Sequence, residues 1–363
     1  MTRNLVSVRQ ISHLEPTSRE SNTLLLAHVD GWKCAVKPGT AEVGAYIVYF
    51  EINSFLLAKD TRFAELGKSN SHNGNLITWN GQFGFHVRST KQEVALSQGL
   101  IMPLASFPEI TKVIAELEEN NTKEKAMQKV MGMSFEAELK VLKWEHAPAT
   151  ENSLGQPPSF FPATKIKRVQ NCPNLFTPKY KDAVYQESVK LNGSAKPSTS
   201  SIVPLPGRFG VCTSNNDLPE KPGCHFWEAA LFYGLPKKLA SLGQNLAIQG
   251  ELCGFSICQN REGFAVGKYD FYVYRIFDID TQAALGPRET EQKAQQLGLK
   301  HVPVNGYFRL HDIATSREDL LQRAEGAGIF GKPREGLVYK NLNLEDGRSF
   351  KVISNAYLIG NGE

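Results

Sequence analysis

Long apolar runs are missing from this 363-residue chain, and so is a surplus of charge of one sign. No stretch approaches the roughly eighteen apolar residues of a membrane helix, so no membrane association is expected. Lysine and arginine number 41 against 37 acidic residues, a net charge of +4. That excess is too small to argue for nucleic acid; only a local basic surface would do so. Cysteine is sparse: Cys34, Cys172, Cys212, Cys224, Cys253 and Cys258 contain no CxxC pair and no zinc-finger spacing with histidine. They read as reduced thiols in a reducing compartment. Met1 to Leu14 lacks the apolar core of a secretory signal. Arg3 and Arg9 are unaccompanied by an acid there, as in a mitochondrial presequence, but Leu5, Ser7 and Arg9 alternate with Val6, Val8 and Gln10 as in a strand. A cytoplasmic or nuclear protein is expected.

What is present is an ordinary globular composition, 41% hydrophobic and 21% charged, at a length that suits about two domains with sizeable cores. Residues 1–107 read as short strands divided by turns. Thr23–Val29 leads to Asp30-Gly31, a tight-turn dipeptide, and Trp32–Val36 follows before Pro38-Gly39. Tyr46–Phe50 and Phe83–Arg88 are further β-rich runs, and about five strands in such a length suggest an OB-like barrel. Pro108 to Leu142 has helical spacing at Val113, Leu117, Met127, Val130 and Met131. Ala147 to Pro162 carries four prolines and reads as a linker. The expected division is therefore 1–107, a helical segment and linker 108–158, and a second domain 159–363 of mixed strands and helices. No internal repeat is present.

Five segments of that second domain hold candidate chemistry. In Tyr185–Ser194 a β-type run ends at Lys190 beside Asn192-Gly193; the plain reading is a hairpin with an exposed lysine, the functional one a lysine nucleophile. A free amine, with a reference pKa of about 10.4, is protonated at neutral pH and needs burial or nearby positive charge to attack. In Leu246–Gly254, Glu251 sits among apolar strand residues, either facing solvent or serving a ligand or cation. Phe271–Asp280 is a long strand whose terminal Phe277 and Asp278 point to opposite faces. Arg334–Lys340 presents Glu335 ahead of an apolar strand, and Ser349–Ser354 places Lys351 on a last one. Singly these are weak. In order they give lysine, glutamate, phenylalanine-aspartate, glutamate and lysine at strand ends.

That order resembles the covalent nucleotidyltransferases, which are DNA ligases, RNA ligases and mRNA capping enzymes. It is closest to ATP-dependent RNA ligases with an OB domain ahead of the transferase domain, the fifth RNA ligase family. Leu96–Leu104, Gln249–Gly254 with Gln259-Asn260-Arg261-Glu262-Gly263, and Phe160-Phe161-Pro162 leading to Arg168–Asn171 extend the resemblance over nearly the whole chain. The resemblance implies an α+β fold: an OB-like barrel, then an adenylation domain of antiparallel sheets with flanking helices. By the same resemblance Lys190 attacks the α-phosphate of ATP and carries AMP. Glu251 accepts a hydrogen bond from the ribose hydroxyls, Phe277 stacks on adenine, and Lys351 and Arg168 bind phosphate. Asn192 and Gly193 border the nucleotide, and Glu335, Glu251 and Asn192 surround Mg²⁺ or Mn²⁺. AMP then passes to an RNA 5′-phosphate, and a 3′-hydroxyl seals the strand. A monomer acting on nicked or broken RNA is expected.

Three positions depart from the family pattern. Asn192 stands where an aspartate is usual, Ser214 where an arginine is usual (with Arg208 a candidate substitute), and Ser349 where the last motif often has a lysine. Each removes charge from a phosphate site, which leaves two other readings open: an RNA-binding relative without catalysis, or a sister adenylation or capping activity. Only twelve residues follow Lys351, which argues against the extra C-terminal domain of DNA ligases and capping enzymes. In the barrel, Lys33, Lys37, Lys59, Arg62, Lys68, Arg88 and Lys91 are candidate RNA-facing cations. Trp32, Tyr49, Phe50 and Trp79 are either stacking platforms or barrel filling.

Overall fold

Asp30 and Gly31 both take the left-handed conformation (φ 51° and 78°) that a two-residue hairpin turn requires. They join strands Leu25–Val29 and Trp32–Val36 in the register Val29 opposite Trp32. The computed structural model describes residues 4–17, 24–67, 74–92, 95–144, 153–158, 161–162, 166–172, 174–193, 200–205, 208–213, 216–343 and 348–361. It divides into two compact units, Met1–His146 with Leu358–Glu363, and Ala147–Tyr357.

The first unit is a set of small antiparallel sheets. Tyr46–Phe50 lies between Val6–Gln10 and Leu100–Pro103 in one, and Ser54–Leu57 pairs with Gln82–Val87 in another. Val6, Val8, Val48, Phe50 and Phe85 form its core together with Ile110, Met127 and Val130. Those last three come from helices Pro108–Glu118 and Lys123–Met131, so the helices expected to connect two domains belong to the first unit. An amphipathic helix must bury its apolar stripe, and the barrel offers the surface. Thr122, whose hydroxyl accepts from the Lys125 amide, starts the second helix and divides the helical segment in two.

The same core decides the fate of the aromatics. Trp32, Tyr49 and Phe50 are fully buried, so they fill the barrel and do not stack on bases. Lys33 is paired with Glu15 at 2.6 Å; Arg62 is paired with Asp60 at 2.6 Å and Glu109 at 2.9 Å and lies over Phe107. Lys37, Lys59 and Arg88 remain exposed, and Trp79 is half-buried against Phe55. Lys68 and the side chain of Lys91 lie outside the described residues. All six cysteines are free thiols, four of them buried, and no described helix is long and apolar enough to cross a membrane.

Two sheets build the second unit. One runs in the order Lys167–Arg168, Phe350–Ile353, Gly336–Asn341, Val184–Lys190, Val304–Arg309. The other runs Asp217–Leu218, Arg208–Cys212, Ser200–Leu205, Leu246–Gly254, Tyr269–Asp278, Ala283–Ala284. Asn192-Gly193 is therefore not a hairpin turn. The strand before it pairs with two strands distant in sequence, and the next described strand lies in the other sheet. Tyr185, Tyr339 and Phe350 pack with Leu310 and Leu320 behind the first sheet, while Ile248, Leu252 and Phe271 pack with Trp227, Leu239 and Ala294 behind the second.

Behind the first sheet, buried Glu187 accepts hydrogen bonds from Arg323 (2.6 Å), Tyr339 (2.8 Å) and Asn305 (2.8 Å), clamping Val184–Lys190 to its neighbours. Removing one partner of a buried ion pair leaves the other uncompensated. Glu187→Ala is expected to lower the stability of this unit by about 3 kcal/mol, read by urea denaturation.

Candidate active site

Strand pairing sets which side chains can meet. Gly336–Asn341 places Gly336 opposite Lys190 and Val338 opposite Ser188. Lys351 lies opposite Val338, and Arg168 opposite Lys351 in the parallel pair. Directly paired residues share a face, and alternate residues of one strand do too, so Lys190, Lys351 and Arg168 project from the same face. Lys340, opposite Gln186, joins them.

On that face the Lys190 Nζ lies 2.6 Å from Glu335 Oε2 with both side chains largely covered, and Asn192 Nδ2 donates to the same oxygen at 3.3 Å. The Gly193 amide donates to Glu251 from the facing sheet. A Cβ at Gly193 would strike the Glu251 side chain and come within 2.6 Å of the Leu252 carbonyl, so only glycine fits there. The Asn192 amide donates to Glu262 Oε1 at 2.6 Å. Glu262 is carried by a loop in which Cys258, Gln259 and Asn260 are all left-handed (φ 49°, 56° and 54°), a conformation that costs each non-glycine residue about 1 kcal/mol or more. Asn260 holds that loop together, its Nδ2 donating to the Phe264 carbonyl (2.8 Å) and its own carbonyl accepting from Lys332 (2.8 Å).

Burial works to lower the pKa of Lys190, but Glu335 and Glu251 outweigh it and hold the amine above its ordinary value, while the Arg168 charge pulls the other way. Burial pushes the Glu251 carboxyl up to about 8, opposed by Lys190 and Lys351 and reinforced by Glu335. Burial also raises Glu262. The Lys190–Glu335 ion pair and two further carboxylates, Glu251 and Glu262, thus share a small, poorly hydrated space.

Sequence reasoning placed Lys190, Asn192, Gly193, Glu251, Glu335, Lys351 and Arg168 here, and the structure brings them together. Phe277 stands further off. It pairs with Ala247, four residues from Glu251 and so about 13 Å along the strand, and packs with Phe161 and Cys212. Arg275 lies over its ring at 5.6 Å and donates to Gln249 and the Pro162 carbonyl. Asp278, pointing the other way, caps the following turn through the amides of Asp280 and Thr281. Ser349 Oγ accepts from the Asn341 amide, holding strands where a lysine is usual. Ser214 lies outside the described residues, as does the side chain of Arg208. Glu262, Arg275 and Lys340 were not singled out from sequence, although each lies inside a segment that was. Lys340 is the most unusual of them. Burial, with Arg275 nearby, pushes its amine down to about 7.

Among the described residues no group of three or more His, Cys, Asp or Glu converges to hold an ion directly. The donor atoms at the turn are nevertheless all oxygen: Glu251, Glu335 and Asn192 Oδ1, which is buried without a hydrogen-bond partner. Such a set fits a hard divalent cation held through its water shell.

Residues 183–353 match the family model described as RNA ligase, and residues 5–104 match an OB-fold domain model. Among solved structures, a mutant apo form of Naegleria gruberi RNA ligase is 33% identical with a TM-score of 0.76, covering 98% of this chain and 97% of its own. This chain belongs to the RNA ligase family. Another mutant of the Naegleria enzyme, solved with AMP and Mn, is 32% identical with a TM-score of 0.76, and the same enzyme with PPi is 33% identical with a TM-score of 0.74. Both alignments cover 98% of each chain. No curated protein matches. The ligase is thus an RNA-joining enzyme with an N-terminal OB-fold domain and an α+β architecture.

Because its pKa is raised in the folded ligase, the Lys190 ion pair contributes stability below the ordinary lysine range and loses it as pH rises through the folded value. The Lys190 amine is expected to titrate above the reference value of about 10.4, and Glu335→Gln to lower it, as followed by ¹³C NMR of the dimethylated lysine.

Proposed function

We propose that the ligase uses ATP to join an RNA 3′-hydroxyl to an RNA 5′-phosphate through an AMP adduct on Lys190, sealing nicks or breaks. The observation that carries this reading is the placement of the Lys190 amine: at a strand end, 2.6 Å from Glu335, on the sheet face that also bears Lys351 and Arg168. A lysine set among carboxylates alone has no use for them as a nucleophile. Beside two further cations it has a place for an α-phosphate.

In this reading Lys351 and Arg168 draw the triphosphate to the face and offset charge that builds on the α-phosphorus. The Lys190 nitrogen forms a bond to that phosphorus as the bond to pyrophosphate breaks, and the ammonium gives up two protons to solvent while the phosphoramidate nitrogen keeps one. Glu335 keeps the amine aimed, and Glu251, fixed by the Gly193 amide, reaches the ribose. Phe277 offers its ring to the base once the nucleotide displaces its neighbours. Glu335, Glu251 and Asn192 Oδ1 would hold Mg²⁺ or Mn²⁺ by way of its waters. That cation would neutralise phosphate charge and favour the unprotonated amine. An oxygen of an RNA 5′-phosphate then takes AMP from the lysine, and a 3′-hydroxyl displaces AMP to close the strand. Of the barrel cations named from the sequence, Lys37, Lys59 and Arg88 are exposed and would meet RNA phosphates.

Incubation with α-labelled ATP and Mg²⁺ or Mn²⁺ is expected to label the denatured protein, and Lys190→Ala to abolish the label. Addition of 5′-phosphorylated nicked RNA should discharge it. Label that no RNA accepts would favour a sister adenylation activity, and no label with either metal would leave an RNA-binding relative. Gly193→Ala should cut the adenylation rate about 100-fold by moving Glu251, measured in the same assay, because small misplacements of reacting groups carry costs of that order.

A further inference from the structure

The lysine turn of this ligase lacks the acid that the family pattern puts two residues after the nucleophile; Asn192 stands there. The side-chain amide of Asn192 spends its donor on Glu335 and leaves Oδ1 buried without a partner. Yet the turn is not short of negative charge. Glu262, only 5% exposed, comes in from the loop that follows the strand bearing Glu251 and sets its carboxylate 2.6 Å from the Asn192 amide. The approach is close on its other side too: a Cβ added at Gly328 would lie 3.3 Å from Glu262 Oε2. Three consecutive left-handed residues, Cys258, Gln259 and Asn260, bring the loop there.

A carboxylate is an unusual choice for a mere clip. Burying an ionised group to accept one backbone hydrogen bond is costly, and a glutamine or a backbone carbonyl would accept the same bond without the charge. Strain of this kind in a loop points to a requirement at its tip. We infer that Glu262 is a positioning residue that returns to the lysine turn the negative charge that Asn192 withholds, so that a hydrated divalent cation keeps its place beside Lys190. The inference rests on the ATP chemistry proposed above. The acid has changed address: it sits on a loop of the facing sheet, not on the turn, and acts on the cation's surroundings through the Asn192 peptide.

The test separates charge from hydrogen bonding. Glu262→Gln keeps an oxygen for the Asn192 amide and removes the charge, while Asn192→Asp puts an acid back on the turn. Mn²⁺ binding with ATP is measured by electron paramagnetic resonance in a Lys190→Met background, which cannot form the adduct. Half-saturating Mn²⁺ for label transfer is measured with Lys190 present. Glu262→Gln is expected to weaken Mn²⁺ binding about 10-fold, the low end of losses from residues that orient a metal's surroundings. Asn192→Asp combined with Glu262→Gln is expected to restore it to within about threefold of the parent. Unchanged Mn²⁺ binding in Glu262→Gln, or failure of Asn192→Asp to restore it, overturns the inference. Should circular dichroism show that Glu262→Gln does not fold, Asn192→Asp alone decides: tighter Mn²⁺ binding supports the inference and unchanged binding overturns it. Wild-type protein that binds Mn²⁺ but takes no label from ATP would sink the ligase chemistry while leaving the comparison at Glu262 intact.

Discussion

The ion pair of Lys190 and Glu335 joins two strands that are neighbours in space and far apart in the chain, and the site depends on its being in place. Without Glu335 the amine would have no fixed direction; without the amine, Glu335, Glu251 and Glu262 would crowd their charges together in a space with little water. Glu251 already shows that tension, since burial raises its carboxyl to about 8 even with Lys190 beside it. The clamp at Glu187 holds the same strand from behind, so its two faces carry different duties: one fixes the strand, the other presents Lys190 to Glu335.

Much of this was legible in the sequence, and the reason is geometric. A charged residue beside an apolar run marks a candidate position in or next to a strand, and Lys190, Glu251, Glu335 and Lys351 all have that form. The Asp30-Gly31 turn was legible because few dipeptides accept two successive left-handed residues. What escaped was long-range. Nothing near Glu262 says that it will reach Asn192, and nothing near Lys340 says that Arg275 will face it across the sheets. The aromatics of the barrel were ambiguous for another reason: a residue that stacks on a base and one that fills a core are written alike. Only burial, complete at Trp32 and Phe50, tells them apart.

The departures from the family pattern also look different in three dimensions. Ser349 has taken up strand-holding work through its hydroxyl, and the face next to it still carries Lys340, Lys351 and Arg168. Charge at such a site belongs to the surface as a whole, and a motif read along the chain undercounts contributions that arrive from neighbouring strands. Lys340 shows the limit of counting formal charges, since an amine whose pKa is near 7 is cationic only part of the time at neutral pH.

The parallel pairing of Arg168 with Lys351 has a consequence for how the protein is made. These residues come from the beginning and the end of the second unit, and the last strand of that unit sits inside the sheet that carries Lys190, between Lys167–Arg168 and Gly336–Asn341. On the ribosome the strands of the first unit emerge before those of the second. The face that carries Lys190, Lys351 and Arg168 cannot close until Phe350–Ile353 has been synthesised and has left the exit tunnel. A chain that stops before Phe350 therefore carries Lys190 but not the strand that sets Lys351 and Arg168 beside it.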